Sequence, residues 1–295
     1  MTKRSLYFMM GTVCLTVSLT ASSQAALISY WEFNGSFADS VGSNTAVKIP
    51  DGAQVNNATT GAVDGRTALI LDGLGDGLMT PANLSLDFGV GTSFTYSFWV
   101  RGQENGLTGN NTFRTTFLLR DTGANPFNGN SIVSFGPSHN TAGNPNVNTN
   151  VFRGTVDAGT PSVLTQASAA GDVLDGTWHH VAWVVKDIGS ASGSSTLYLD
   201  GAVLASDSDL STLATGDTAA GSVPLYIGAE RVTGSRWLLG AMDDLAVWGD
   251  ALPLASIQGL ANSTYTPLTA PIPEPSGFIL AGIGLAGFAL RRRWQ

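Results

Sequence analysis

The sequence has very few of the residues that build disulfides and metal centres. Among its 295 residues there is a single cysteine, Cys14, close to the N-terminus. This excludes an internal disulfide and a cysteine-rich metal motif in the remainder of the chain. Only three histidines are present, and two of them, His179 and His180, are adjacent. Because neighbouring residues of a strand point to opposite faces, this pair does not predict a shared metal ion.

Positive charge is also scarce. The chain carries 14 lysines and arginines against 22 acidic residues, for a formal net charge of −8. Setting aside the two terminal segments removes Lys3, Arg4, Glu274 and residues 291–293, and leaves a body with a charge of about −12. Nucleic-acid binding needs clustered lysine and arginine. We therefore expect no nucleic-acid partner.

Recognisable catalytic motifs are absent as well. Hydrolysis of glycosidic bonds usually needs two carboxylates about 5–10 Å apart, yet the chain has four glutamates, and its only adjacent acidic pair is Asp243-Asp244. A regular strand would point these two side chains to opposite faces. No Gly-x-Ser-x-Gly motif for a serine nucleophile occurs. We expect a protein without enzymatic activity.

What the sequence does contain is a series of strand-like runs. Residues 94–101 and 178–185 alternate with a period of two, are rich in aromatic and β-branched residues, and are flanked by turn formers. Residues 197–204 predict a hairpin around Asp200-Gly201, with Tyr198 opposite Val203 and Leu197 opposite Leu204. Helical periodicity is confined to a short stretch near residues 252–262. These patterns predict an all-β protein, an antiparallel two-sheet sandwich.

The N-terminal segment has the features of a secretory signal peptide. Lys3 and Arg4 precede an apolar run from Leu6 to about Leu19, and the segment ends in small residues. This arrangement predicts a signal peptide over residues 1–25, with cleavage between Ala25 and Ala26.

Several motifs in order resemble a known family. Residues 175–182 (Asp-Gly-Thr-Trp-His-His-Val-Ala), 197–201 (Leu-Tyr-Leu-Asp-Gly), 225–228 (Leu-Tyr-Ile-Gly) and 240–248 (Gly-Ala-Met-Asp-Asp-Leu-Ala-Val-Trp) are similar to the signatures of the LamG-like jelly roll. This family belongs to the concanavalin A-like lectin/glucanase superfamily. The resemblance implies a jelly-roll domain over residues 26–262. Proteins with this fold include lectins, adhesion modules and hydrolases, so the resemblance is compatible with each of these functions. The Glu-x-Asp-x-x-Glu motif of the laminarinase-type hydrolases in this superfamily is missing here.

The C-terminal segment resembles the PEP-CTERM sorting signal. After a predicted linker at residues 263–272 come Pro273, Glu274 and Pro275, then an apolar run over residues 277–290 and three arginines. The resemblance implies a Gram-negative host, a short transmembrane helix within residues 273–295 and processing by an exosortase. We expect a precursor tethered to the inner membrane and a mature protein at the cell surface or in the extracellular matrix.

The same resemblance suggests a structural calcium ion. In this superfamily the aspartate that matches Asp243 often helps to bind calcium together with oxygen ligands near the first strand, where Asp39 and Asn34 lie. As part of a regular strand, Asp243 would share the inward face with Leu245 and Val247. A carboxylate there needs backbone donors or a cation, so capping of backbone amides is the alternative to calcium.

Tryptophans beside polar residues are the candidates for ligand binding. Aromatic rings stack on sugars while polar neighbours bind their hydroxyl groups. Trp99 with Arg101, and Trp237 beside Arg231 and Arg236, have this character. The expected function is a non-catalytic exported binding or adhesion module that recognises a glycan or a protein. A structural matrix protein and a divergent glycoside hydrolase are the alternatives.

Overall fold

The computed structural model describes a β-rich unit within Ala25–Pro273. The described residues are 26–50, 55–103, 117–121, 131–138, 151–156, 163–167, 173–211, 223–229 and 237–271. The predicted signal peptide (1–25) and sorting helix (273–295) lie outside them. Within the described residues no helix is long and apolar enough to cross a membrane.

Fifteen strands, one short 3₁₀ turn (Leu84–Leu86) and one α-helix are found in this part of the chain. The strands are β1 Leu27–Trp31, β2 Val47–Lys48, β3 Thr59–Val63, β4 Arg66–Asp72, β5 Leu78–Met79, β6 Phe94–Gln103, β7 Leu118–Asp121, β8 Ser131–Ser138, β9 Val151–Val156, β10 Val163–Ala167, β11 His179–Lys186, β12 Ser194–Leu199, β13 Ala202–Ser208, β14 Leu225–Ile227 and β15 Leu239–Trp248. The helix α1 spans Leu254–Ala261.

The strands form two antiparallel sheets, which confirms the predicted jelly-roll sandwich. The first sheet has eight strands in the order β13-β12-β11-β6-β15-β4-β3, with β1 also paired to β15. The second sheet has seven, in the order β10-β9-β8-β7-β14-β5-β2. Strands distant in sequence are neighbours in both sheets, as in β6 between β11 and β15.

The main core lies between the sheets and follows the predicted alternation. Phe94, Tyr96, Phe98 and Val100 of β6 are all buried there, together with Trp183 of β11. The ring of Phe94 packs edge-on against Trp183 with their centroids 5.2 Å apart. Aromatic side chains therefore supply much of the apolar surface that stabilises the sandwich.

The hairpin between β12 and β13 confirms one predicted pair and corrects the other. Asp200 and Gly201 form the turn with φ angles of 49° and 78°, and Tyr198 pairs with Val203. Leu197, however, pairs with Ala205 rather than Leu204. The reason is a register shift between Leu197 and Tyr198, which moves the earlier part of the strand by one residue.

The outer face of the eight-stranded sheet, which points away from the other sheet, is covered by the chain that follows β15. We call residues 251–271 the strap. Ile257 and Leu260 of α1, and Ala270, pack in a second apolar cluster with residues of β1, β11, β12 and β15. The amide of Tyr265 donates to the carbonyl of Gly259 over 3.0 Å. A side chain at Gly259 would overlap the Tyr265 ring, so the close contact depends on glycine.

The strap corrects the predicted domain boundary. Residues 263–272 were expected to form a linker, but Ala270 is only 7 % exposed. The hydroxyl of Ser256 also donates to the carbonyl of Pro271. The packed domain therefore extends at least to Pro271, nine residues beyond the expected boundary at residue 262.

Gly154 tests how tightly the two sheets pack. A Cβ atom at this position would lie 2.5–2.9 Å from ring atoms of Trp183, which is fully buried. We expect Gly154→Ala to lower the free energy of unfolding by about 1–3 kcal/mol because the rigid ring must shift. Urea denaturation measures the effect.

The matched control is Gly61→Ala. In that variant the new methyl group would meet only the flexible end of Ile70, at 3.1 Å. We expect this variant to change the stability by less than about 1 kcal/mol. Equal losses in the two variants would contradict the idea that contact with Trp183 sets the cost.

Candidate functional site

A β-bulge in β15 shapes the outer face of the eight-stranded sheet. Its pairing with β6 shifts between Asp243 and Ala246, and Asp244 has a φ angle of 52°. Met242 and Leu245, on either side of the bulge, both belong to the main core. The two aspartates therefore both lie on the outer side. The prediction that Asp243 faces inward with Leu245, opposite to Asp244, is wrong because a bulge inserts one extra residue.

The bulge places both carboxylates against one arginine. Nη1 of Arg66, the first residue of β4, lies 2.8 Å from Oδ2 of Asp243 and 3.3 Å from Oδ2 of Asp244. Its guanidinium carbon lies 4.0 Å from the centroid of the Trp99 ring and 5.6 Å from that of Trp178. The arginine thus combines ion pairing with cation–π contact.

The surroundings of Asp243 favour its protonated form. Burial, together with the charge of Asp244, raises the pKa of Asp243 to about 6, although Arg66 opposes the shift. The hydroxyl of Tyr30 donates to Oδ1 of Asp244 over 2.5 Å. Burial and this hydrogen bond raise the pKa of Tyr30, so its hydroxyl remains a donor.

A serine–histidine pair lies beside this cluster. Ser97 of β6 and His180 of β11 are buried, with Oγ and Nε2 2.8 Å apart. The other ring nitrogen of His180 is buried and has no hydrogen-bond partner in the part of the chain that the structure describes. Burial lowers the pKa of His180 to about 4. A neutral, weakly basic histidine without an orienting carboxylate does not complete a catalytic triad.

The strap and the outer face enclose a pocket of about 140 Å³. The sheet contributes charged, hydroxyl and aromatic groups, and the strap contributes the opposite wall. The lining residues are Arg66, Ser97, Trp99, His180 and Asp244 from the sheet, and Leu260, Ser263, Tyr265, Thr266 and Pro267 from the strap. The volume is below the range typical of drug-sized ligands. It suits one small ring.

The predicted calcium ligands do not fit one ion in this structure. Four backbone amides, those of Tyr30, Val41, Gly42 and Asn44, donate to the carboxylate of Asp39. Burial raises the pKa of Asp39, but these hydrogen bonds outweigh it and the net shift is downward. Its oxygens therefore have partners that a calcium ion would have to displace.

The other two calcium candidates lie in different surroundings. Asn34 is exposed in the turn after β1, and Asp243 is paired with the Arg66 cation, which repels a metal ion. Over the described ranges, no group of three or more acidic, histidine or cysteine side chains is placed to hold a metal. Calcium binding stays a prediction without a site built from these three residues.

The predicted ligand-binding residues are separated by the fold. Trp99 lines the pocket, although Arg66 covers one face of its ring. Arg101 lies two residues further along β6 and its Nε is 2.8 Å from Oδ2 of Asp64. Trp237 is 8 % exposed and packs with Ile49 and Ala229 in a third apolar cluster. Its burial argues against an open stacking surface.

Four important residues were missed at the sequence level: Arg66, Ser97 as a partner of His180, Asp244 and Tyr265. Arg66 directly follows the tight turn Asp64-Gly65, which gives no sign of its distant partners. Ser97 and His180 lie on the adjacent strands β6 and β11, and the sequence pattern does not show that these two strands pair. Tyr265 lies in a stretch with linker-like composition.

The two-sheet architecture is that of a lectin/glucanase-like β-sandwich. Residues 72–258 match the family model described as the concanavalin A-like lectin/glucanases superfamily. The chain belongs to this superfamily, as its motifs predicted. Residues 271–293 match the PEP-CTERM protein-sorting motif, which indicates an exported protein processed at the membrane through an exosortase. No match was found among curated proteins.

Solved structures support the fold. Domain 4 of AbnA, an extracellular GH43 arabinanase from Geobacillus stearothermophilus solved with arabinotriose, is 18 % identical with a TM-score of 0.55, covering 81 % of this chain and 100 % of its own. The binding domain of Paraclostridial Mosquitocidal Protein 1 is 17 % identical (TM-score 0.53), covering 82 % of this chain and 52 % of its own. The binding domain of botulinum neurotoxin serotype G is 14 % identical (TM-score 0.55), covering 81 % of this chain and 51 % of its own. The chain thus spans about half the length of these two toxin domains.

Asp243 makes a testable contribution to the pH dependence of stability. Because its pKa is raised to about 6 in the folded state, the folded protein binds more protons than the unfolded chain between about pH 4 and pH 6. The stabilisation is complete at low pH and is lost as the pH rises through the folded pKa. His180, with its pKa lowered to about 4, contributes in the opposite direction, so the wild-type curve alone does not isolate Asp243.

We therefore compare the wild type with Asp243→Asn by urea denaturation between pH 4 and pH 7. Relative to the variant, the wild type should lose stability on the order of 2 kcal/mol as the pH rises across this window. Asp207→Asn, at an exposed carboxylate of β13, serves as the control and should follow the wild-type curve. A constant difference between wild type and Asp243→Asn would show that Asp243 does not titrate as described.

Proposed function

We propose that this protein is a non-catalytic carbohydrate-binding module, exported by its host, and that the pocket under the strap holds a sugar unit. The observation that carries the proposal is the convergence of an aromatic ring, a guanidinium, a carboxylate and several hydroxyl groups on one small pocket. Sugars are recognised by this combination of apolar ring faces and hydrogen-bonding groups. The pocket size favours a single sugar unit, such as the end of a glycan chain.

Two polar side chains of the pocket lining, His180 and Asp244, favour a polar ligand. His180 is 1 % exposed and lines the pocket, and among the described residues one of its ring nitrogens has no hydrogen-bond partner. The carboxylate of Asp244, with a side chain 30 % exposed, accepts hydrogen bonds and cannot donate them. Hydroxyl groups of a sugar can donate hydrogen bonds to this carboxylate.

The comparisons support the same class of ligand. Domain 4 of the arabinanase was solved with arabinotriose, and the binding domain of botulinum neurotoxin DC, 14 % identical with a TM-score of 0.51, was solved in complex with SialylT. Both share the sandwich architecture with this chain. They illustrate that the fold can present a glycan-binding surface, and the pocket is our assignment for the position in this protein.

A divergent glycoside hydrolase is the second candidate. Asp243 and Asp244 are two carboxylates on one guanidinium, and the pKa of one of them is raised to about 6, as in acid–base pairs. Asp243 does not line the pocket, however, and its side chain is only 8 % exposed. Release of reducing sugar from polysaccharides by the purified domain, abolished in Asp244→Asn, would favour the hydrolase over the binding module.

A glycan array with the unit Ala25–Pro273 tests the proposal. We expect the wild-type unit to bind a subset of glycans. Trp99→Ala should weaken that binding about tenfold or more, because the variant loses the aromatic ring that stacks on the sugar and one wall of the pocket. Trp178→Ala is the matched control, since Trp178 also contacts Arg66 but does not line the pocket.

Melting curves of both variants establish that they are folded. Equal loss of binding in Trp99→Ala and Trp178→Ala would move the site away from the pocket. Absence of binding to any glycan by the folded wild type would favour the alternative of a structural matrix protein.

The sorting signal makes a separate prediction about the mature protein. A helix over residues 277–290 would span roughly 21 Å at about 1.5 Å per residue, which is shorter than the hydrocarbon core of about 30 Å. We expect a transient membrane stop that is removed near Pro273, Glu274 and Pro275. Since the strap packs on the sandwich as far as Pro271, the mature protein should keep the complete pocket.

Mass spectrometry of the mature protein from its native host measures this directly. We expect a C-terminal peptide that includes Pro271 and ends within a few residues of it. A mature pool that retains the peptide through Arg291 would instead identify a stable membrane anchor.

A further inference from the structure

The electrostatic balance of the pocket determines which sugars it can accept. Among the described lining residues Arg66 supplies the one guanidinium, which is shared between the carboxylates of Asp243 and Asp244, at 2.8 and 3.3 Å. Two carboxylates thus oppose one cation. A ligand carboxylate cannot recruit Arg66 without competing with both aspartates.

The other lining residues do not restore a positive charge. Apart from Arg66 and Asp244 they are serine, threonine, proline, leucine and aromatic residues and the buried His180. Burial disfavours the charged form of this histidine, and its imidazole contacts Ser97 rather than a carboxylate. The nearest further arginine on β6, Arg101, is paired with Asp64.

We propose that the pocket selects an uncharged sugar unit and excludes sugars that carry a carboxylate. This inference rests on the proposed glycan-binding function and specifies its ligand class. Hydroxyl groups of a neutral sugar donate to the carboxylate of Asp244 without a charge penalty. A hexuronate places its own carboxylate in a region where negative charge already exceeds positive charge, and the described residues of the pocket offer it no unpaired cation in return.

Pairs of glycans that differ in one group provide the sharpest test. Oligosaccharides ending in glucose, galactose or mannose are compared with the same chains ending in glucuronate, galacturonate or mannuronate, so that a hydroxymethyl group is replaced by a carboxylate. We expect the wild-type unit Ala25–Pro273 to bind the neutral member of a pair at least about fivefold more tightly than the acidic member.

Asp244→Asn identifies the origin of the selectivity. Asparagine keeps the shape and one acceptor oxygen, and it tolerates the φ angle of 52° at this position. We expect this variant to reduce the difference between neutral and acidic members by at least half. Asp64→Asn is the matched control, because it makes the same charge change at an ion pair outside the pocket lining, and it should leave the difference unchanged.

The outcomes separate the inference from the function on which it rests. Binding of the acidic member as tight as, or tighter than, that of the neutral member overturns the selectivity while leaving glycan binding intact. An equal change in Asp244→Asn and Asp64→Asn shows that general charge, and not the pocket, sets the preference, which also overturns it. Failure of the folded wild type to bind any member overturns the proposed function, and the inference falls with it.

Discussion

The outer face of this sandwich is organised by one guanidinium group. Arg66 lies at the start of β4, yet its contacts reach the bulge of β15, the ring of Trp99 on β6 and the ring of Trp178 before β11. Partly desolvated carboxylates need a cation nearby, since removal of one partner leaves an uncompensated charge that is costly to bury. The positive charge of Arg66 stabilises the two carboxylates at the bulge, and the bulge places both aspartates within reach of Arg66. The sheet side of the pocket, with Arg66, Trp99 and Asp244, is formed by these contacts.

The strap turns this charged surface into a site. An exposed sheet face offers a ligand contacts from one side only, whereas residues such as Tyr265 and Thr266 provide a second wall. The strap is attached mainly by apolar contacts of α1 and Ala270 with the sheet, which are not directional. Gly259 then fixes the position of Tyr265 by permitting close contact with its ring. The geometry of the pocket therefore depends on a segment that has no charged residues.

Much of the fold was predictable because it rests on local periodicity. The alternation over residues 94–101 assigns Phe94 and Phe98 to the core correctly, and Asp200-Gly201 identifies its hairpin. The site was less predictable for two physical reasons. A bulge leaves no mark on composition, so Asp243 was placed on the wrong face. The strap has the prolines and threonines of a linker, and its burial is decided by contacts with distant strands rather than by its own pattern.

Because of its bulge, β15 could lose one residue without losing its hydrophobic face. Loss of a single codon at Asp244 would restore strict alternation, with Met242 and Leu245 still facing the core on either side of Asp243. Most deletions inside a central strand invert the side chains that follow, but this one would preserve the hydrophobic face. It would also remove the partner of Tyr30 and the second carboxylate on Arg66. Insertion and deletion at this point therefore offer descendants of this gene a way to alter the outer surface while the core stays intact, and alignments of such relatives need a one-residue gap there.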